Sequence, residues 1–230
     1  MKKNNSLCDA HTCFMCQNCL EEWRPAICAN KTNIKLKKGE VLFREGDKVN
    51  GIYFVYSGNI KVYKQWDADK ELIIRFAKDG AILGHRGIGA DTDYPISAEA
   101  LEPSVVCYVD MKFFESTIRV NNELTYQLVN FFASELRVTE RRMRNLAHMP
   151  VKGRVAYALI KLQQQFGITA DGFINLALSR QDLASFAGAT YETVFRVINE
   201  LVSEQAISLS GKSIAITNHD ALNQLINSAG

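Results

Sequence analysis

Between Ile34 and Asp110 glycines recur among short runs of β-branched and aromatic residues. Gly39, Gly46, Gly51, Gly58, Gly80, Gly84, Gly87 and Gly89 separate stretches such as GIYFVYSG, NIKVYKQW, ELIIRFAK and SVVCYVD, all rich in β-branched and aromatic residues. Short apolar runs bounded by glycine turns read as strands, and many in succession predict a sandwich or barrel. From Met111 the pattern changes to a helical one. DMKFFESTI reads as a short helix and NNELTYQLVNFFASELRVTERRMRNLAH as a long one, with Asn121 or Asn122 at its N-cap and Glu123 in its first turn.

Leu124, Leu128, Phe131, Phe132, Leu136, Met143 and Leu146 recur at threes and fours, which is one apolar stripe on a helix. About 26 residues span roughly 40 Å at 1.5 Å each, long for a helix packed only on its own domain. The length and the stripe favour a coiled-coil dimer seam over a helix lying along the strands. Pro150 and Gly153 in HMPVKG then break the pattern.

Beyond the break, RVAYALIKLQQQFG reads as an amphipathic helix ending at Gly167, GFINLALS alternates like a strand, and ISLSGKSIAI reads as a hairpin turning at Ser210, Gly211 and Lys212. Between them, QDLASFAGATYETVFRVINEL has the spacing of a helix-turn-helix. Ala184 is small where two helices cross closely, and Gly188 sits four positions later, where the turn needs positive φ. Leu183, Ala187, Val194 and Val197 complete the packing face. Thr190, Tyr191, Glu192, Phe195, Arg196 and Asn199 are left for a major groove. Arginine forks onto guanine and glutamate accepts from cytosine. Glu192 and Arg196 are also one helical turn apart, the spacing of an ordinary surface ion pair. Arg180, Lys212 and the run Arg141, Arg142 and Arg144 are candidates for phosphates.

The formal net charge of the 230 residues is only +2, so any nucleic-acid binding depends on local placement of basic side chains. Apolar content of 47% is ordinary for a soluble globular chain. MKKNNSLC has no apolar run after its basic start, and no stretch approaches the roughly 20 apolar residues of a membrane helix. These features point to the cytoplasm, where thiols stay reduced. Five of the six cysteines nevertheless crowd into the stretch from Cys8 to Cys28, with Cys107 alone. In a reducing compartment a metal site or redox sensor explains that better than disulfides. The run Cys13-x2-Cys16-x2-Cys19 has the spacing with which ferredoxins wrap one corner of an iron–sulfur cubane. Four thiolates also suit Zn²⁺, and a thiol–disulfide switch needs no metal.

With the order strands, long helix and helix-turn-helix with a hairpin wing, the chain resembles the CRP/FNR family of bacterial transcription regulators over nearly its whole length. KGEVLFREGDKVNGIYFVYSGNIKVYK is similar to the family's opening strands, and ETVFR to its recognition-helix pattern. The resemblance implies an α+β fold. Residues 1–33 would be a cysteine-rich arm, and 34–110 a β-roll, the double-stranded β-helix of the cyclic-nucleotide-binding type. Residues 111–149 would hold a short helix and the long dimerisation helix, and 150–230 the winged helix-turn-helix. It further implies a homodimer on a palindromic operator in double-stranded DNA, with RNA polymerase as a partner, and base reading by Glu192 and Arg196. Phe195 departs from the serine or glycine frequent there.

The cyclic-AMP branch carries a glutamate and an arginine–serine pair for ribose and phosphate. Here His85 replaces the glutamate and no arginine precedes Ser97, so no cyclic AMP is expected; His85, Arg86 and Ser97 would line any other effector pocket. The FNR branch holds a [4Fe–4S] cluster with three N-terminal cysteines and one from the roll. That implies Cys13, Cys16, Cys19 and Cys107 as ligands, with Cys28 as substitute and Cys8 spare, although the branch's usual spacing is C-x2-C-x5-C. Only a short gap separates Cys28 from the first strand, so the family's helical entry segment is expected to be abbreviated. An enzyme is not indicated: His11, His85, His148 and His219 are scattered, and there is no P-loop or nucleophile–base set. A regulator sensing a small molecule without metal stays open as the alternative.

Overall fold

In the computed structural model, which describes residues 11–67, 70–89 and 93–227, the chain divides into two compact units, Met1–Glu135 and Leu136–Gly230. Cys8 lies outside the described residues. The first unit opens with two short helices, α1 (Phe14–Asn18) and α2 (Arg24–Asn30). Eight strands follow: β1 (Lys31–Leu36), β2 (Val41–Phe43), β3 (Gly51–Ser57), β4 (Ile60–Asp67), β5 (Lys70–Ala77), β6 (Ile82–Leu83), β7 (Ser97–Ala100) and β8 (Ser104–Asp110). They form two antiparallel sheets, ordered β1-β8-β3-β6 and β2-β7-β4-β5. Helix α3 (Met111–Val120) and helix α4 (Asn122–His148) come next.

Side chains along a strand alternate between faces, and this separates two cores. Tyr53 and Val55 of β3, Val106 of β8 and Leu36 join Ile60, Val62, Ala98 and Ala100 of the other sheet in one cluster. Ile52, Phe54, Cys107 and Val109 turn the opposite way. They meet Phe114 of α3, Leu124 and Leu128 of α4, and Met15, Cys16, Cys19 and Ile27 of the arm. The arm is therefore not structureless. It folds as α1, a 3-10 turn at Glu21–Trp23 and α2, because its apolar residues have a sheet face to cover.

Helix α4 does not carry a single stripe. Leu124 and Leu128 are buried in the unit's own core and Phe131 and Phe132 pack against it, whereas Leu136 and Met143 are 60% and 64% exposed. The apolar positions thus split between two faces, one already covered by the roll.

In the second unit, α5 (Val151–Phe166), α6 (Arg180–Ala187), α7 (Tyr191–Ser203), the hairpin β9 (Ile207–Ser210) and β10 (Ser213–Ile216), and α8 (His219–Asn227) follow the end of α4. The stretch GFINLALS is not a strand. Ile174 makes an isolated bridge with Ile168 and its N–H donates to Ile214 O at 2.8 Å, but no neighbour runs alongside. Its alternation comes from Ile174 and Leu178 turning into the core while Asn175 and Ala177 face water. That is period-two burial without a ladder.

Candidate DNA interface and cysteine arm

Helix α6 starts with a capping box: Ser179 Oγ accepts from Asp182 N at 2.9 Å, and Asp182 Oδ2 accepts from Ser179 N at 3.3 Å. It ends at Gly188, whose φ of 65° and ψ of 46° suit a residue without Cβ. Arg154 Nη1 donates to Gly188 O at 2.9 Å and pins the turn. Thr190 then caps α7, its Oγ1 accepting from Thr193 N. Leu183, Ala184, Ala187, Val194, Val197, Ile198 and Leu201 are all buried. Packing therefore fixes which side of α7 is free, and Thr190, Tyr191, Glu192, Phe195, Arg196 and Asn199 are exposed there. Arg196 Nε is 3.9 Å from Glu200 Oε1, at the outer limit of an ion pair.

The other basic residues divide. Arg180 donates to the wing carbonyls of Lys212 at 3.2 Å and Gly211 at 3.4 Å, so it positions the wing, while the Lys212 side chain is exposed at the turn. Arg142 donates to Phe186 O at 2.8 Å and lies over the Phe186 ring. Burial lowers its pKa to about 10, and it acts as an internal strut of this unit, whereas Arg141 is exposed.

In the first unit, β8 places Val106 between the sheets and Cys107 on the face the arm covers. Cys16 and Cys19 are buried in the same cluster as Cys107, and Cys13 packs against it. Among the five described cysteines only Cys28 is exposed. Cys107 donates from Sγ to Oδ1 of its cross-strand neighbour Asn33 at 3.2 Å. Burial raises the Cys19 pKa, and the nearby Arg24 guanidinium opposes that rise. Four soft thiols on one apolar face suit a thiolate-bound group in kind and in neighbourhood. As placed, no three His, Cys, Asp or Glu side chains among the described residues are grouped to hold a metal ion.

The arm is fastened at several points. Phe14 N donates to Gly80 O at 3.0 Å. A Cβ on Gly80 would lie 2.1 Å from Thr12 O, so the arm rests directly on that glycine. Leu20 N donates to Asn121 Oδ1 at 2.8 Å, and Trp23 Nε1 donates to Thr117 Oγ1 at 3.1 Å. Phe14 also meets Phe131 of α4 with ring centroids 5.6 Å apart. None of Gly80, Thr117 or Asn121 belongs to the cysteine pattern, and only their long-range partners connect them to the arm.

Of the positions expected to line an effector pocket, His85 and Arg86 share one partner, Glu135, and Ser97 stands apart from them. His85 is 1% exposed, set edge-on to Phe131 and Phe132, with Nε2 3.8 Å from Glu135 Oε2. Arg86 donates to Glu135 at 2.8 Å. Ser97 instead accepts from Glu45 N at 2.9 Å. Arg75, with Nε 3.8 Å from Glu135 and Nη2 bonded to Ile82 O, completes a charged cluster that local spacing does not reveal.

Comparison with known proteins agrees with this architecture. Residues 33–121 match the cyclic nucleotide-binding domain, and residues 153–225 match the Crp-like helix-turn-helix domain. The chain is 33% identical over 184 residues to the transcriptional activator protein anr of Pseudomonas aeruginosa, covering 79% of this chain and 75% of that one. It is 31% identical over 188 residues to the anaerobic regulatory protein of Bacillus subtilis, covering 80% and 79%. The solved structure of FixK2 from Bradyrhizobium japonicum superposes with a TM-score of 0.75 at 25% identity, covering 85% of this chain and 96% of that one. Among the described residues no helix is long and apolar enough to cross a membrane.

Proposed function

The chain belongs to the CRP/FNR family of DNA-binding transcription regulators, and we propose that it is a homodimeric, sequence-specific regulator that senses oxygen or redox state through its arm. The observation that carries this reading is the alternation in β8, which turns Cys107 onto the face where Cys13, Cys16 and Cys19 gather. Those four residues would hold a [4Fe–4S] cluster, a group that oxygen degrades. Cys28, exposed on α2, is the weaker donor. The arm's own residues do the rest. Leu20 and Trp23 tie the segment after Cys19 to the corner where α3 meets α4. A change in the arm then alters the start of the helix that pairs two copies, a shift between populations rather than a new fold. In such a dimer the two α7 helices would address half-sites about 34 Å apart in a palindromic operator.

The roll is read as working without cyclic AMP. Ile96 stands before Ser97 and is buried in the inter-sheet core, so no guanidinium reaches a phosphate from that position. Arg86 is committed to Glu135. A second reading has the same arm holding zinc or acting as a thiol switch; the Cys107 to Asn33 hydrogen bond, in which the thiol keeps its proton, favours the switch.

Purification without oxygen, followed by absorption spectra, iron and sulfide analysis and DNA binding before and after air, tests both. The first reading expects a coloured protein with about four iron and four sulfide per chain, whose DNA binding weakens in air. Zinc, or metal-free protein whose DNA binding responds to oxidant, selects the second. A colourless, metal-free protein indifferent to air and oxidant ends both.

A further inference from the structure

Tyr191 and Phe195 form an aromatic pair in solvent on α7, with ring centroids 6.1 Å apart and planes 17° apart. They are 42% and 50% exposed, while Val194, Val197 and Ile198 take the inner face. Tyr191 is the first residue of the helix and Phe195 lies one turn on, within the N-terminal stretch that meets base edges when such a helix enters the major groove. Glu192 and Arg196 follow them directly, both exposed. Phe195 has no hydrogen-bonding atom, so it has nothing to offer a phosphate or a polar base edge. The C5 methyl of thymine is the apolar target in that groove. The charged setting, with Arg196 alongside and Lys212 exposed on the wing, fits a polyanion better than an apolar protein surface.

We propose that the Tyr191–Phe195 pair reads thymine methyl groups beside the base pairs addressed by Glu192 and Arg196, and so sets the base preference of each half-site. The inference rests on α7 being the DNA-reading helix. It makes position 195, where the family pattern has a small residue, a determinant of pyrimidine identity through apolar contact.

The experiment uses the full chain in its DNA-binding state. A site is first selected from a pool of random duplexes. Each thymine of that site is then replaced singly by deoxyuridine, which removes one methyl and no hydrogen bond. At one or more positions per half-site the dissociation constant should rise about fourfold, the effect of one buried carbon. Phe195→Ser should bind the thymine and uracil sites equally. Because Phe195 is half exposed, this variant is expected to melt with the wild type, and an unchanged melting curve confirms that it is folded. The proposal is overturned if no uracil substitution alters wild-type affinity, or if the serine variant suffers the same loss. A selection that yields no preferred site would instead remove the base-reading role of α7 itself, a different failure from a defined site indifferent to its methyl groups.

Discussion

At Glu135 one carboxylate faces Arg75, His85 and Arg86, at 3.8, 3.8 and 2.8 Å. Burial pushes its pKa up, but the three nitrogen-bearing neighbours outweigh it and hold the group at about 2. Burial pulls the His85 pKa below its ordinary 6.5, with the Glu135 side chain opposing. Both groups favour the fold in their neutral-pH forms, imidazole neutral and carboxylate charged. The unfolded chain binds the extra proton in each case, so stability rises with pH and is lost as pH falls. The His85 contribution is present above 6.5 and fades as pH drops through its folded value. The Glu135 contribution is present above 4.5 and fades toward 2. Glu135→Gln leaves the guanidiniums without their carboxylate. Because each partner keeps some exposure, the loss at pH 7 is expected near 2 kcal/mol, under the 3–5 of a fully buried pair. Urea titration of Glu135→Gln and His85→Phe across pH 3–8 checks this: the glutamine variant should lose the acid limb below 4.5 and the phenylalanine variant the limb below 6.5. An unchanged pH profile in either contradicts the assignment. Glu135 and Arg86 are 49 residues apart in sequence, which is why the family resemblance pointed to His85 and Arg86 while nothing local pointed to Arg75 or Glu135.

At the scale of elements, α7 was legible because its signals are local: a small residue, a glycine and two valines at fixed offsets. Helix α4 was legible in length but not in facing. Threes and fours mark a helix, but they do not say which neighbour covers it, and two neighbours claim different apolar residues. The face left open runs Tyr126, Val129, Ala133, Leu136, Glu140, Met143 and Ala147, all exposed. Those steps alternate three and four, a 3.5-residue repeat suited to a two-helix seam. GFINLALS erred for a related reason, since alternation reports burial and a strand also needs a partner. Two copies joined along the open face would bury Leu136 from both sides. Leu136→Glu should raise the dimer dissociation constant at least about 30-fold, the equivalent of roughly 2 kcal/mol, with the monomer's fold intact. Sedimentation equilibrium measures it, and a variant as dimeric as wild type would show that the seam lies elsewhere.

Across the whole molecule, the question is how thiols in an arm bear on a helix that reads DNA. The cysteine crowding was visible in the sequence, and its meeting with Cys107 depends on the parity of one strand. The fastening of the arm was not visible, because Leu20 and Asn121 are 101 residues apart. Asn121 accepts from Leu20 N, its Nδ2 donates to Thr117 O at 2.8 Å, and its own carbonyl accepts from Thr125 N in the first turn of α4. One side chain thus grips the arm while its backbone opens the long helix. Asn121→Ala removes the acceptor of Leu20 N, while Thr117 O keeps its bond from Asn121 N, a local cost of about 1–1.5 kcal/mol. That cost should fall on arm docking rather than on the sheets, since Leu20 and Trp23 bond to the corner of α3 and α4 and not to a strand. Hydrogen exchange over residues 14–30 should therefore quicken about tenfold, while β3 and β8 keep their protection. If the arm acts through this corner, the ratio of DNA affinities without oxygen and in air should also shrink toward one in the variant. Faster exchange with an unchanged ratio would mean that the arm reaches α4 by another contact, such as Phe14 on Phe131 or the core shared with Leu124 and Leu128. Unchanged exchange would mean that Asn121 holds nothing.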